Sequence, residues 1–268
     1  YDPLRYPPRA SAIIPPMDKP TIFISHITEE RLLAELLKER LAADFLGMVD
    51  LFVSSDSTSI SVGNKWLTDI ESALKRAEAQ LVLCSHDSVR RPWVNFEAGA
   101  GWVRAIPVVP VCHTGMRVVD LPIPLNMLQA IEATDSDGIR RLYSLIAGRL
   151  GSAVPQGDIS DLIGSIKAFE HQYGTVKEVR RAVRAIIALL PDLDQIFRPA
   201  PVHKAARGDI GDIVLDKMRP HLDQLQARGM LTYATGSNKV VFGPSGGGNL
   251  IEVRIHVAEP YYDIANDV

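Results

Sequence analysis

The 268-residue chain is 46% hydrophobic and 23% charged, an ordinary composition for globular domains and enough for one large or two modest ones. Its net charge of −3 argues against a general nucleic-acid or anionic-membrane binder. No apolar run approaches the ~20 residues of a membrane-spanning helix. Two cysteines, Cys84 and Cys112, lie in apolar runs that read as strands. They predict buried, reduced thiols, which fits a cytoplasmic protein.

Residues 1–20 carry Pro3, Pro7, Pro8, Pro15, Pro16 and Pro20, a density that predicts an extended proline-rich leader. No secretory leader pattern is read there. "TIFISH" (21–26) predicts a short buried strand. Residues 28–45 follow as a helix, with Leu32, Leu33, Leu36, Leu37 and Leu41 at helical spacing. Thr28 is its expected N-cap, and Glu29 and Glu30 its dipole-complementing first turn. A strand over 49–55, a polar loop over 56–66 and an amphipathic helix over 67–79 come next. "QLVLCS" (80–85) predicts a strand, "RRPWVNFEAGAGW" (90–102) a helix, and "IPVVPVCH" (106–113) a strand in which Pro110 belongs near an edge. "LQAIEA" (128–133) follows a proline-rich loop, and residues 135–150 close the run as a helix. Short apolar strands alternating with helices imply an α/β domain over 21–150, a five-stranded parallel sheet of flavodoxin-like type.

After Leu150 the texture changes. Residues 151–158 read as a linker, and 159–268 as a smaller α+β domain. Helices are expected over 159–173 and 176–190, and again over 209–230, where Pro220 should interrupt the pattern. Strands joined by the glycine-rich "GPSGGGN" follow, an order like that of a winged helix. Residues 151–268 hold 13 Lys and Arg against 14 Asp and Glu, so they carry no electrostatic footprint for DNA. The basic stretch 177–185 reads as a solvated helix face, with contact to nucleic acid or an acidic partner as the alternative.

In doubly wound folds, sites form beyond the carboxyl ends of the strands. Ser25 and His26 end the first strand, and Phe52, Ser54 and Asp56 follow the second. They are placed to line such a cleft, with Asp56 equally at home as a turn residue and His26 as a capping residue. Trp93 and Glu97 share one helix face at i, i+4 spacing. Glu97 has a plain alternative too, as an exposed acid complementing the helix dipole. Arg90 and Arg91 are able to meet phosphates, or to stand as a solvated basic pair. "CSHD" (84–87) places nucleophile, base and acid side by side, where neighbours cannot fold into a triad. No zinc-type Cys/His spacing and no Walker-type loop is present.

Taken in order, "TIFISH", "VDLFVSSD" with a loop ending "SVGNKW", "QLVLCSHDSV" and "PWVNFEAG" resemble a bacterial TIR (Toll/interleukin-1 receptor) domain over roughly residues 20–150. The resemblance implies one of two functions. Many TIR domains with a glutamate at the place of Glu97 split NAD+ into nicotinamide and ADP-ribose or a cyclic isomer. Others are non-catalytic adaptors or virulence scaffolds. It makes Glu97 the expected catalytic residue, Ser25, His26, Phe52, Asp56 and Trp93 the expected substrate-binding residues, and NAD+ a substrate rather than a cofactor. It places Ser61, Gly63 and Trp66 in a loop that contacts a neighbouring TIR domain. It also implies self-association, often into filaments, under control of a C-terminal sensor with an unknown activator, in antiphage defence. A relative acting on nucleosides or deoxynucleotides is a third reading. Cleaving the nicotinamide–ribose bond builds positive charge on the ribose, which a carboxylate stabilises. Nicotinamide leaves as a neutral base, so one carboxylate suffices.

Overall fold

A computed structural model describes residues 19–55, 65–243 and 246–266. Most of the expected leader, the positions of Asp56, Ser61 and Gly63, and the side chain of Trp66 lie outside the described residues. The chain divides into two compact units between Ser165 and Ile166.

The first unit is the expected α/β domain. Its strands are β1 (Thr21–His26), β2 (Asp50–Ser55), β3 (Ala77–Cys84), β4 (Val108–Cys112) and β5 (Ile131–Glu132). They form one parallel sheet in the order β2-β1-β3-β4-β5. The order turns back at β1, as in flavodoxin-like folds. Helices α1 (Arg31–Asp44), α2 (Lys65–Arg76), α3 (Pro92–Val103) and α4 (Ser136–Leu150) connect or follow the strands. Every residue of β1 is buried, which explains why it reads as one apolar run without alternation.

Several boundaries differ from the sequence expectation. The first helix begins as a 3-10 turn over Thr28–Glu30, preceded by Ile27 rather than capped at Thr28. Glu30 is fully buried, so it does not act as a solvated dipole partner. The helix expected over 67–79 ends at Arg76, because Ala77 and Ala79 pair with Thr21 and Ile22 of β1. Both alanines are buried there, and strand pairing overrides their helix propensity. Pro110 lies within β4 and pairs with Val82 on one side only. β5 meets β4 only at Val111 and Cys112, so beside Pro110 the sheet ends, where a missing N–H costs nothing. Asp135 caps α4 by accepting from the backbone N–H groups of Asp137 and Gly138, and Gly151 ends it at φ 62°.

Helix α3 approaches the sheet closely at Gly101. A Cβ there would lie 2.2 Å from Gln80 Oε1 and 2.9 Å from Val108 Cγ2. Gln80 is fully buried on β3, and its amide has no hydrogen-bond partner among the described residues.

Beyond α4, α5 (Ser160–Leu189) is one continuous helix of 30 residues rather than two. No proline falls near Gly174, and the Thr175 hydroxyl donates to the carbonyl of His171. The second unit continues with the short α6 (Asp194–Phe197), β6 (Ala205–Gly211), α7 (Asp212–Ala227), β7 (Leu231–Gly243), β8 (Gly246–Val257) and α8 (Glu259–Asn266). β6 takes residues read from sequence as the start of a helix. α7 runs through Pro220 without interruption. Leu215, Met218, Leu222 and Leu225 bury its inner face against Val253, Ile255 and Val257 of β8 and Val179, Val183 and Ile186 of α5. That burial outweighs the ~3 kcal/mol a proline costs inside a helix. The antiparallel sheet has the order β6-β8-β7, the strand order of a winged helix, with one helix where a helix-turn-helix would need two. The opposite sheet face is exposed and charged. Arg207 and Arg254 pair across β6 and β8, and the Nε of each lies 2.8 Å from Glu252.

The packing of α3 predicts an asymmetry between its glycines. Gly101→Ala should lower the unfolding free energy by about 1–3 kcal/mol through overpacking. At Gly99 an added Cβ meets nothing within 4 Å, so Gly99→Ala should be neutral or stabilising. Guanidinium denaturation of the two variants beside wild type measures the difference.

Candidate active site

β1 and β2 run in register, with Phe23 opposite Phe52 and Ser25 opposite Ser54. Alternation puts all four on one sheet face. The Phe23 and Phe52 rings stack at 5.4 Å, and both pack in a cluster with Ile70 and Leu74 of α2 and Trp93 of α3. Ser25 and Ser54 stand one pleat further on, towards the carboxyl ends of their strands. The same face therefore changes from apolar to hydroxyl-bearing where a doubly wound sheet presents its site.

Glu97 meets those hydroxyls. Pro92 occupies the first position of α3, where it lacks no needed N–H, and Glu97 follows in the second turn. The helix buries Val94, Glu97, Ala98 and Gly101, a spacing that places Glu97 on the sheet-facing stripe. Its carboxylate is 0% exposed. Oε2 accepts from Ser25 Oγ, and from Ser54 Oγ at 3.2 Å. Oε1 accepts from Trp93 Nε1 at 2.7 Å. Three donors from three elements converge on this one carboxyl group. Complete burial removes the reading of Glu97 as a solvated dipole partner. The outer face of Trp93 stacks on Phe96 at 5.4 Å, and Phe96 is itself exposed.

The structure thus brings Ser25, Phe52, Ser54, Trp93 and Glu97 together. It does not bring His26 to them. His26 follows Ser25 on the strand and faces the opposite side, as alternation requires. It is fully buried, and neither ring nitrogen has a hydrogen-bond partner among the described residues. Burial holds its pKa below the usual histidine value; the charges of Glu30 and Glu35 act against that shift, and that of Arg31 with it. Arg90 is exposed, and Arg91 spends its charge on Glu29 at 3.3 Å. Cys84 and Cys112 are neighbours in the β3–β4 register and are free thiols. Burial pushes both up, Cys112 to about 12, so neither is a nucleophile at neutral pH. In "CSHD", Ser85 serves a turn and His86 is exposed, so no triad forms. Among the described residues no group of three or more His, Cys, Asp or Glu is placed to hold a metal ion.

A second buried polar group was not foreseen. Glu30, Ser85 and His113 meet beneath the same sheet edge. The sequence does carry a signal for Glu30. It stands three and four residues before Leu33 and Ala34, in phase with the buried stripe that continues to Leu37 and Leu41.

Residues 22–143 match the family model of the TIR domain. No curated protein matches the chain. Among the described residues no helix is long and apolar enough to cross a membrane.

The buried His26 makes a prediction about pH. The folded state binds the His26 proton less readily than the unfolded chain, so below about pH 6.5 the unfolded state holds more protons. Stability should fall as pH is lowered through that region. Guanidinium midpoints at about pH 7.5 and about pH 5 should show the loss. The non-titrating His26→Gln variant should show a smaller one.

Proposed function

Because residues 22–143 form a TIR domain, a family that includes NAD-cleaving and self-associating members, we propose that this chain is a bacterial NAD+ glycohydrolase. It cleaves the nicotinamide–ribose bond, releasing nicotinamide with ADP-ribose or a cyclic isomer. Glu97 is the catalytic residue, and NAD+ is the substrate, with no further cofactor. The observation that carries the reading is the buried Glu97 carboxylate, held by Ser25, Ser54 and Trp93 at the carboxyl edge of the sheet.

The chemistry follows from that arrangement. Bond cleavage leaves an oxocarbenium-like ribose, and an oriented carboxylate in a water-poor site opposes that charge far better than one in water. Two serine hydroxyls and an indole hold the carboxylate at one orientation, so little reorganisation is needed when the charge develops. Ser25, Phe52 and Trp93 shape the pocket. Asp56, which follows β2 and lies outside the described residues, is a further substrate contact in this proposal, whereas His26, buried on the opposite sheet face, is not.

The full burial of Glu97 favours a second reading, the non-catalytic TIR adaptor, because a catalytic carboxylate must reach the ribose. The same burial fits an enzyme that is silent until assembly rearranges the site. In the proposal, TIR–TIR contact through the loop of Ser61, Gly63 and Trp66 opens it. Residues 159–268 act as the sensor or oligomerisation module, filaments are the active form, and the setting is cytoplasmic antiphage defence.

Nicotinamide release from NAD+ tests the reading, measured over a wide range of protein concentration with a crowding agent. Release should rise more steeply than protein concentration, and Glu97→Ala and Glu97→Gln should lower it by on the order of 10² or more. Variants that turn over like wild type would make Glu97 a structural residue. No release from wild type at any concentration would leave the adaptor reading in place.

A further inference from the structure

We infer that Glu30 is a positioning residue for the Glu97 site, a second buried carboxylate that fixes the two segments from which Ser25, Trp93 and Glu97 project. The inference rests on the proposed reaction for its kinetic consequence but not for its geometry. Glu30 is 0% exposed. Its Oε1 accepts from Ser85 Oγ at 2.6 Å and lies 3.1 Å from His113 Nε2. Its Oε2 accepts from the backbone N–H of Ile27 at 3.3 Å. Hydrogen bonds to one carboxylate therefore join the segments that follow β1 and β3, and His113, after β4, lies against it without hydrogen-bond geometry at Nε2.

Two of those connections lead to Glu97. Ile27 is two residues beyond Ser25, so the bond to its N–H anchors the strand end whose hydroxyl grips Glu97. Ser85 begins the turn into α3. Ser85 Oγ accepts from the backbone N–H groups of Asp87 and Ser88 at 3.3 and 3.2 Å, and Ser88 Oγ accepts from Ser85 N–H at 2.7 Å. Ser88 Oγ also donates to the carbonyl of Leu83 at 3.0 Å, tying the turn back to β3. Asn95, in the first turn of α3, then binds the carbonyls of Val89 and Arg91 at 3.0 and 3.2 Å. A continuous chain of hydrogen bonds thus runs from Glu30 to the start of the helix that carries Trp93 and Glu97. His113 braces the carboxylate from the end of β4, with its Nδ1 2.9 Å from Thr114 Oγ1.

Glu30 bonds to the segments that carry the site and not to the Glu97 carboxylate or its donors in any bond described above, so the role inferred for it is positioning. Its effect is to hold the reacting group within the tolerance catalysis demands, where a shift of about 1 Å costs on the order of 10² in rate. A merely structural Glu30 would lower stability and leave Glu97 where it is.

Glu30→Gln and Ser85→Ala separate the two cases, with two readouts. The first is kcat and KM for nicotinamide release. The second is the indole N–H resonance of Trp93, assigned with Trp93→Phe, which reports the bond to Glu97 whether or not the protein turns over. Glu30→Gln should lower kcat by about 10- to 100-fold with KM little changed, and shift the Trp93 resonance. Ser85→Ala should move both in the same direction by less, and it carries the test if Glu30→Gln does not fold. Folded variants with wild-type kcat and an unmoved Trp93 resonance would overturn the inference. If wild type itself releases no nicotinamide, the proposed reaction fails, and the Trp93 resonance alone decides the role of Glu30.

Discussion

A fully buried carboxylate needs donors from the protein, and Glu97 draws them from three separate elements. Removing such a group from water costs several kcal/mol unless hydrogen bonds replace hydration. The register of β1 against β2 and the seat of α3 on the sheet are therefore mutually constrained. A slip of one residue in either strand would turn Ser25 or Ser54 to the opposite face and take its hydroxyl from the carboxylate. The stacked Phe23 and Phe52 lock the register one pleat below.

The position of α3 is set from both ends. At its carboxyl half, Gly101 lets the helix backbone approach the Gln80 side chain more closely than any side chain would permit. At its start, the serine-built turn after β3 and the proline at the first helical position fix the entry direction. Glu97 lies between these two points, on a segment with little freedom to drift. A site built this way is pre-organised, which suits charge stabilisation.

The second unit obeys a different balance. Its elements are decided by one shared core, in which the inner faces of α5 and α7 cover β8. A local signal loses to that core at Pro220 inside α7. Met218 and Leu222, two residues to either side, are fully buried in it, and that burial exceeds the local cost. The charged outer face of the sheet, where Glu252 neutralises Arg207 and Arg254, contributes nothing to that core.

The sequence by itself determined the class of the first unit, because strands covered on both faces leave unbroken apolar runs and amphipathic helices leave a 3.6-residue stripe. It determined that Trp93 and Glu97 share a face, since one helical turn separates them. It determined the ends of α4 as well, where Asp135 and Gly151 act through local backbone geometry alone. What surrounds Glu97 was decided only in three dimensions. Ser25 and Ser54 lie 72 and 43 residues away from it, and nothing local indicates which strand ends become neighbours of α3. The same holds for Glu30, whose in-phase spacing marks it for burial but whose neighbours Ser85 and His113 arrive just past the ends of β3 and β4. It holds also for His26, which strand alternation turned away from the site while its neighbour Ser25 was turned towards it. Periodicity tells which side of an element faces inward. Only the packed sheet decides which other side chains wait there, because that depends on strand order and register, and both are set by contacts distant in the chain.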